Sequence, residues 1–152
     1  LRGPARAIRE QVFVVEQHVP LEMEWDEFDA GARHALAWIA GGGCVGTGRL
    51  LQDGHIGRMA VLAEWRGRGV GAALLQALIA EARAMGKRVM VGAIDASNYA
   101  SLALHEHMGF EETGRMPGVG EKFGKRCNAY LKCVGKEQTK NYCPKNGNNL
   151  NN

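Results

Sequence analysis

Arg66-Gly67-Arg68-Gly69-Val70-Gly71 is the stretch whose reading decides this fold. An apolar run, His55 to Leu62, precedes it. After it Val70, Leu74, Leu78 and Ala82 fall on one helical face, widened by Leu75 and Ile79, until Gly86 stops the pattern. A strand, a glycine-rich turn and a helix therefore follow one another. Such a turn aims backbone N–H groups and the positive end of a helix at one point, which suits a pyrophosphate; the glycines let the ligand approach, and Arg66 or Arg68 adds charge. Gly67-x-Gly69-x-x-Ala72 also satisfies a dinucleotide-binding fingerprint. That fold, however, opens with the strand of its own unit and wants an acidic residue about 20 positions on. A Walker loop fails because no Gly-Lys-Ser/Thr follows. A turn serving only chain reversal is the plain alternative.

Outward from the turn, Val89 to Ile94 is a short apolar run suited to a central strand, parallel to the one before the helix because a helical crossover separates them. Ser97 or Asn98 caps a second helix through about His107, closed by Gly109, and a final hairpin uses Phe110 to Thr113 and about Cys127 to Val134. Upstream, Pro4 to about His18 carries Ile8, Val12 and Val15 at helical spacing, and Pro20 ends that helix. The acidic stretch to Gly31 is a loop or short helix on the substrate side. His34–Ala40, Gly43–Leu51 and His55–Leu62 make a three-strand antiparallel meander, turned at Asp53-Gly54.

The chain has 152 residues, 45% of them hydrophobic, enough for one core without metal or disulfide support. Residues 1–134 read as one domain, and 135–152 as a polar, Asn-rich, loosely ordered tail. No apolar stretch reaches bilayer length and no basic-apolar-small leader opens the chain, so a soluble, cytoplasmic protein is expected. Cys44, Cys127, Cys133 and Cys143 lack metal-ligand spacing and read as reduced thiols, with no metal expected. The net charge of +3 is uneven: Glu22, Glu24, Asp26, Glu27 and Asp29 cluster early and lysines crowd the end. The acidic loop could receive a cationic amine and the basic end a phosphate-bearing ligand or RNA, although two solvated faces explain both. No interleaved aromatics mark the basic end for base stacking, which argues against a nucleic-acid partner.

Taken with its flanking elements, the turn resembles the signature of the GNAT superfamily, Arg/Gln-x-x-Gly-x-Gly/Ala, matched by Arg66, Gly69 and Gly71. Asn98 and Met108-Gly109-Phe110 stand where that family has them, and the resemblance runs from about Ile8 to Leu131. It implies an α/β fold with a mixed antiparallel and parallel sheet, splayed into a V-shaped wedge and flanked by helices, with acetyl-CoA in the wedge. It assigns Met59, Ala60 and Val61 to backbone contacts with the cofactor, and Arg66, Gly67, Arg68, Gly69, Val70, Gly71 and Ala72 to its pyrophosphate. Asn98 and Ser101 extend the cofactor site, although capping alone would explain Asn98. The N–H of Val61 would polarise the acetyl carbonyl. Ile8 to Gln17, with Asp26, Asp29, His34 and Gly57 to Val61, is similar to the ElaA-like group. Asp95 to Asn98, Ser101 to His105 and Gly118 to Lys125 are similar to phosphinothricin and methionine-sulfoximine acetyltransferases. A small-molecule amine, amino-acid-like in the second group, would attack acetyl-CoA directly in a ternary complex.

The resemblance makes His105 the acid for the departing thiolate, in the place where many GNAT enzymes have Tyr; a helix-surface histidine is the bland alternative, and Tyr99 is a neighbour or mere packing. The phosphinothricin branch has a Glu on the strand before the signature, and Gly57 occupies that position here. His34, Glu24, Asp26 and Glu64 are the remaining candidates for the base, with Glu24 and Asp26 as substrate-binding residues, though a His34 bonded to the acidic loop is the plainer reading. The resemblance implies a strand before the first helix, and none is read there: either the chain is cut short, or a partner supplies the strand, or the edge is exposed and favours a homodimer. A rival class is a non-catalytic acyl-CoA-binding or interaction module with a degenerate site.

Overall fold

A computed structural model describes residues 3–122 and 125–134, with side chains through residue 114. Helix α1 (Pro4–Arg9) has its proline in the first turn and continues as a π-helical segment, Glu10–Glu16, in which the Gln17 N–H donates to the Val12 carbonyl at 3.1 Å. The helix ends two residues earlier than the His18 expected, because His18 takes a left-handed φ of 57°. Pro20 heads the next element instead of closing this one: α2 (Leu21–Glu24) and a 3-10 turn (Glu27–Ala30) occupy the acidic stretch.

The expected meander forms from β1 (Arg33–Trp38), β2 (Cys44–Leu50) and β3 (His55–Val61), followed by α3 (Val70–Ala84), β4 (Met90–Asp95) and α4 (Tyr99–His107). The closing hairpin is longer than expected, with β5 at Glu111–Lys122 and β6 at Lys125–Val134. Phe110 is not part of it, since its ring turns into the core at 2% exposure. The strand order is β1-β2-β3-β4-β6-β5, with β3 and β4 parallel and the other neighbours antiparallel. Among the described residues no strand precedes α1, and β1 stands at a sheet edge. The tail from 135 onward lies outside the described residues. Cys44 is a free thiol, and among the described residues no helix is long and apolar enough to cross a membrane.

The main core packs Leu75, Leu78 and Ile79 of α3 against Leu50, Ile56 and Met90 of the sheet and Met108 and Phe110 beyond α4. Glycines on β2 let α3 come close: a Cβ on Gly46 would lie 3.0 Å from Leu74 Cδ1, and one on Gly48 would lie 2.9 Å from Leu78 Cδ1. On the opposite face Ile8 and Val12 pack against Ala60 of β3. The end of α3 closes as a Schellman motif, with Gly86 at φ 73° and Lys87 N–H donating to the Ala82 carbonyl at 2.9 Å.

Two irregularities in β3 shape the molecule. It pairs with β4 only at His55 with Val91 and Ile56 with Gly92, after which the two strands separate. It also carries a bulge, because Thr47 faces Ala60 while Arg49 faces Gly57, and Arg58 in that bulge has a left-handed φ of 48°.

The bulge turns Arg58 toward a buried charge cluster. Arg9, with no exposed surface, donates to Glu24 Oε1 and to Asp29 Oδ1, both at 2.6 Å. Arg49 donates to Asp26 at 2.7 Å and to Asp29 at 3.0 Å, and Arg58 reaches Glu24 Oε2 at 3.1 Å and Asp26 at 3.5 Å. Trp25 lies under the guanidinium groups of Arg6 and Arg9 at 4.8 and 4.9 Å. Three arginines and three carboxylates thus compensate one another in low-dielectric surroundings, where removal of one partner strands the rest. At Asp29 burial pushes the carboxyl up, but hydrogen bonds from Arg9 and Arg49 outweigh it and hold the group at about 2, below its ordinary 3.8.

Arg9→Met is expected to destabilise the fold by about 3–5 kcal/mol, read from chemical denaturation at neutral pH. Because Asp29 is depressed, its stabilisation is complete above its ordinary value of 3.8 and disappears as pH falls toward about 2. That contribution is on the order of 2 kcal/mol. Asp29→Asn should therefore flatten the stability-versus-pH curve across that acid window, and a curve as steep as that of the unsubstituted protein would refute the assignment.

Candidate active site

The glycine turn adopts the conformation its composition suggests. Gly67 and Gly69 have φ of 71° and 81°, and a Cβ on either would meet nothing within 4 Å. Gly69 is the N-cap of α3 and no side chain caps the helix, so the amides of Val70, Gly71 and Ala72 form its uncapped first turn beside open space.

The two arginines of the turn are placed differently from expectation. Arg66 donates to Glu16 through Nη1 and Nη2, at 2.5 and 2.7 Å, and through Nε to the Val61 carbonyl at 3.0 Å. It clamps the exit of β3 to the end of the π-helical segment, and its hydrogen bond holds the Glu16 carboxyl below the usual range. Arg68 lies over the Trp65 ring at 4.8 Å. The backbone cradle is thus the part of the turn that faces open space.

Where β3 and β4 part, a cavity of about 220 Å³ opens. Phe13, Gln17 and Val19 wall it from the first helical segment, Ile56 to Met59 from β3, Gly92 to Asp95 from β4, and Asn98, Ser101 and His105 from α4. Leu62 N–H donates to the Val45 carbonyl at 2.9 Å, which makes that pair the hydrogen-bonded one of the antiparallel ladder. The adjacent pair, Gly46 with Val61, is then non-hydrogen-bonded, so the Val61 N–H points away from β2, to the side from which β4 has withdrawn. Of the strand residues expected to face the cofactor, Met59 lines the cavity and Ala60 packs against Ile8 and Val12.

His105 is 3% exposed and stands inside this wall. Its Nδ1 lies 2.8 Å from the Ser101 carbonyl, an acceptor, so Nδ1 carries a hydrogen and the opposite edge of the ring carries Nε2. That edge faces Gly92, where a Cβ would lie 3.6 Å from Nε2, and Phe110 meets the ring edge-on at 5.1 Å. Asn98 caps α4 by accepting the Ser101 N–H at 3.2 Å and also lines the cavity.

Other expected residues are held elsewhere. His34 donates from Nε2 to the Asp29 carbonyl at 3.1 Å and borders a separate hollow against Ala77 and Glu81 of α3. Glu24 is fully buried between Arg9 and Arg58, and Asp26 is taken up by Arg49 and Arg58, so the acidic loop is an internal counter-charge and neither residue lines the wedge. Glu64 lies in the exposed 3-10 turn before the signature, and Tyr99 is 77% exposed. Conversely, Arg58 and Asp95 line the wedge without having been singled out from sequence. Arg58 depends on a bulge that no local signal marks. Asp95 had a signal, since a strand-ending Asp followed by Ser-Asn suggests the turn in which its Oδ1 accepts Ser97 N–H at 2.7 Å.

Known proteins share this arrangement. Residues 5–110 match the model of the acetyltransferase (GNAT) family. The L-methionine sulfoximine/L-methionine sulfone acetyltransferase of Pseudomonas aeruginosa is 58% identical over 60 residues, covering 40% of this chain and only 35% of that protein's length. The L-amino acid N-acyltransferase MnaT of Escherichia coli is 34% identical over 123 residues, 66% of this chain and 72% of that protein. Among solved structures, yncA of Salmonella typhimurium, determined with its cofactor acetyl-CoA, superposes with a TM-score of 0.68 at 27% identity, covering 86% of this chain and 85% of that one. A glycine cradle at the mouth of a splayed parallel pair and a family match spanning most of the chain lead to one conclusion: the chain belongs to the GNAT family of acetyltransferases.

Proposed function

We propose that this protein transfers the acetyl group of acetyl-CoA to the amine of a small, amino-acid-like molecule, by direct attack within a ternary complex. The observation that carries the reading is the pair of left-handed glycines with open space before an uncapped helix, set at the mouth of the wedge between β3 and β4. A pyrophosphate needs that combination of unfilled amides and close backbone approach. Relatives whose names specify amino acids or amino-acid analogues support the substrate class.

Acetyl-CoA supplies an activated thioester carbonyl; the chain supplies its placement. Gly67 to Ala72 would hold the pyrophosphate, and Met59 to Val61 would lie along the pantetheine. The Val61 N–H, pointing away from β2, would donate to the carbonyl oxygen as negative charge develops there. Proton delivery to the departing sulfur falls to His105 Nε2, because the Ser101 carbonyl engages Nδ1 and fixes the ring's orientation. Residues 1–134 would act as one domain in this role.

Gly69→Val should weaken acetyl-CoA binding at least about tenfold by calorimetry, since it fills the cradle and strains a left-handed residue. Retained affinity would remove the turn from the site. His105→Phe should lower kcat on L-methionine sulfone by about 100-fold while leaving acetyl-CoA affinity close to that of the unsubstituted protein. An unaltered kcat would return His105 to a packing role. Acetyl-CoA binding without turnover on any amine of a broad panel would favour a non-catalytic module.

A further inference from the structure

We infer that Gln17 selects an α-amino acid as the amine: its carboxamide accepts from the amino group through Oε1 and donates to the adjacent carboxylate through Nε2. This deepens the acetyl-transfer reading and rests on it. Gln17 closes the π-helical segment, and its backbone is pinned from both sides. Its own N–H donates to the Val12 carbonyl at 3.1 Å, and the Val19 N–H donates back to the Phe13 carbonyl at 2.8 Å. Between Gln17 and Val19, His18 turns the chain with a left-handed φ of 57°, a conformation that a non-glycine residue holds only where its surroundings impose it. Phe13 and Gln17 stand about one helical turn apart and both wall the wedge, while Val12 is buried against Ala60.

The side chain, by contrast, is left open. Of the polar side chains that line the wedge, those of Arg58, Asp95, Asn98, Ser101 and His105 each hold a hydrogen bond, whereas the Gln17 carboxamide has no partner among the described residues. Its Oε1 is enclosed even so. An enclosed amide oxygen without a donor is costly, and a ligand that supplies the donor removes that cost. The terminal torsion of a glutamine is broad and two-fold, so with no partner to fix it the carboxamide can turn its edge to the cavity. Room for a ligand lies on β3. Gly57 pairs with Arg49, whose side chain runs to Asp26 and Asp29 beside α1, so position 57 opens on the α1 face, and a Cβ built there meets nothing within 4 Å.

What fits this wall is a head group with a donor and an acceptor side by side. The α-carbon of an amino acid carries its amino nitrogen next to its carboxylate, and a carboxamide carries its oxygen next to its nitrogen, so both hydrogen bonds can form at once. A neutral primary amine keeps two N–H groups and its lone pair, so Oε1 can go on accepting while the lone pair attacks the thioester. Charge does not select the carboxylate here: Arg58 borders the same cavity, but Glu24 and Asp26 already offset it. A neutral amide discriminates by hydrogen-bond geometry, since an amine without the carboxylate leaves Nε2 unmatched.

The test sets L-methionine sulfone against its decarboxylated analogue, methylsulfonylpropylamine, in the unsubstituted protein, Gln17→Leu and Gln17→Glu. Gln17→Leu is expected to shrink the kcat/KM preference for L-methionine sulfone over the analogue by at least about tenfold. Its acetyl-CoA affinity should stay within about twofold, and its thermal unfolding midpoint should hold level or rise, because an enclosed oxygen that no donor meets has been removed. Gln17→Glu, which keeps the acceptors and loses the donor, should lose the preference as well. Equal kcat/KM on the two amines in the unsubstituted protein, or an unchanged preference in either variant, overturns the inference and leaves the acetyl-transfer reading standing. Weakened acetyl-CoA binding or a lowered unfolding midpoint in Gln17→Leu also overturns it, making Gln17 a cofactor contact or part of the frame. If the unsubstituted protein acetylates neither amine nor any member of a broad panel, the functional reading fails and this inference fails with it.

Discussion

Beyond Ile56 the third strand of the sheet gives up its parallel partner, and the backbone groups of Gly57 to Val61 on that side no longer have β4 to bond. Unpaired strand backbone costs free energy when buried, so the separation persists only because other contacts hold the two strands in place. On one face α3 grips both strands through Leu75, Leu78 and Ile79. On the other, the bulge at Arg58 diverts β3 and is anchored by Glu24 and Asp26. The cleft follows from that divergence, and the Val61 amide, turned away from β2 by the ladder register, points to the side β4 has left.

The anchoring is electrostatic and internal. Charges as buried as Arg9 and Glu24 carry a large desolvation cost, which their mutual hydrogen bonds offset because each buried charge has an opposite charge within hydrogen-bonding distance. A cluster of this kind is worth less as net stability than as geometry, since a misplaced loop would leave a buried charge unmatched. It ties α1, the two short turns after Pro20, β2 and the β3 bulge to one arrangement. Arg66 repeats the device at the other end of β3, joining Glu16 to the Val61 carbonyl. Both fix the strand along which the cofactor is proposed to lie.

The α4 side of the wedge carries the His105 ring, whose Nδ1 donates to the Ser101 carbonyl, and β4 ends in Asp95, whose Oδ1 accepts from Ser97. Such hydrogen bonds orient the groups that hold them, and orientation is what proton transfer depends on. The reacting carbonyl would lie within reach of a backbone amide whose direction is set by the ladder register rather than by a side chain.

Local pattern was sufficient for the elements themselves. Helical spacing from Val70 to Ala82, the glycines at 67 and 69, the meander's glycine punctuation and Asn98 before α4 each reflect short-range sterics or hydrogen bonding, which the chain encodes within a few residues. The family and the glycine turn that marks it were legible for the same reason. The fate of each charge was not. Glu24 and Asp26 looked like substrate groups because they are polar and clustered, yet whether they meet solvent or an arginine is decided by residues 15 to 34 positions away. Arg58 looked ordinary, and Asp95 offered only a turn signal; the bulge and the strand alternation bring them to the wedge. Helical spacing, glycine turns and caps are short-range and so were written in the sequence; the β3 bulge and the pairing of charges depend on distant residues, and the tertiary structure alone decided them.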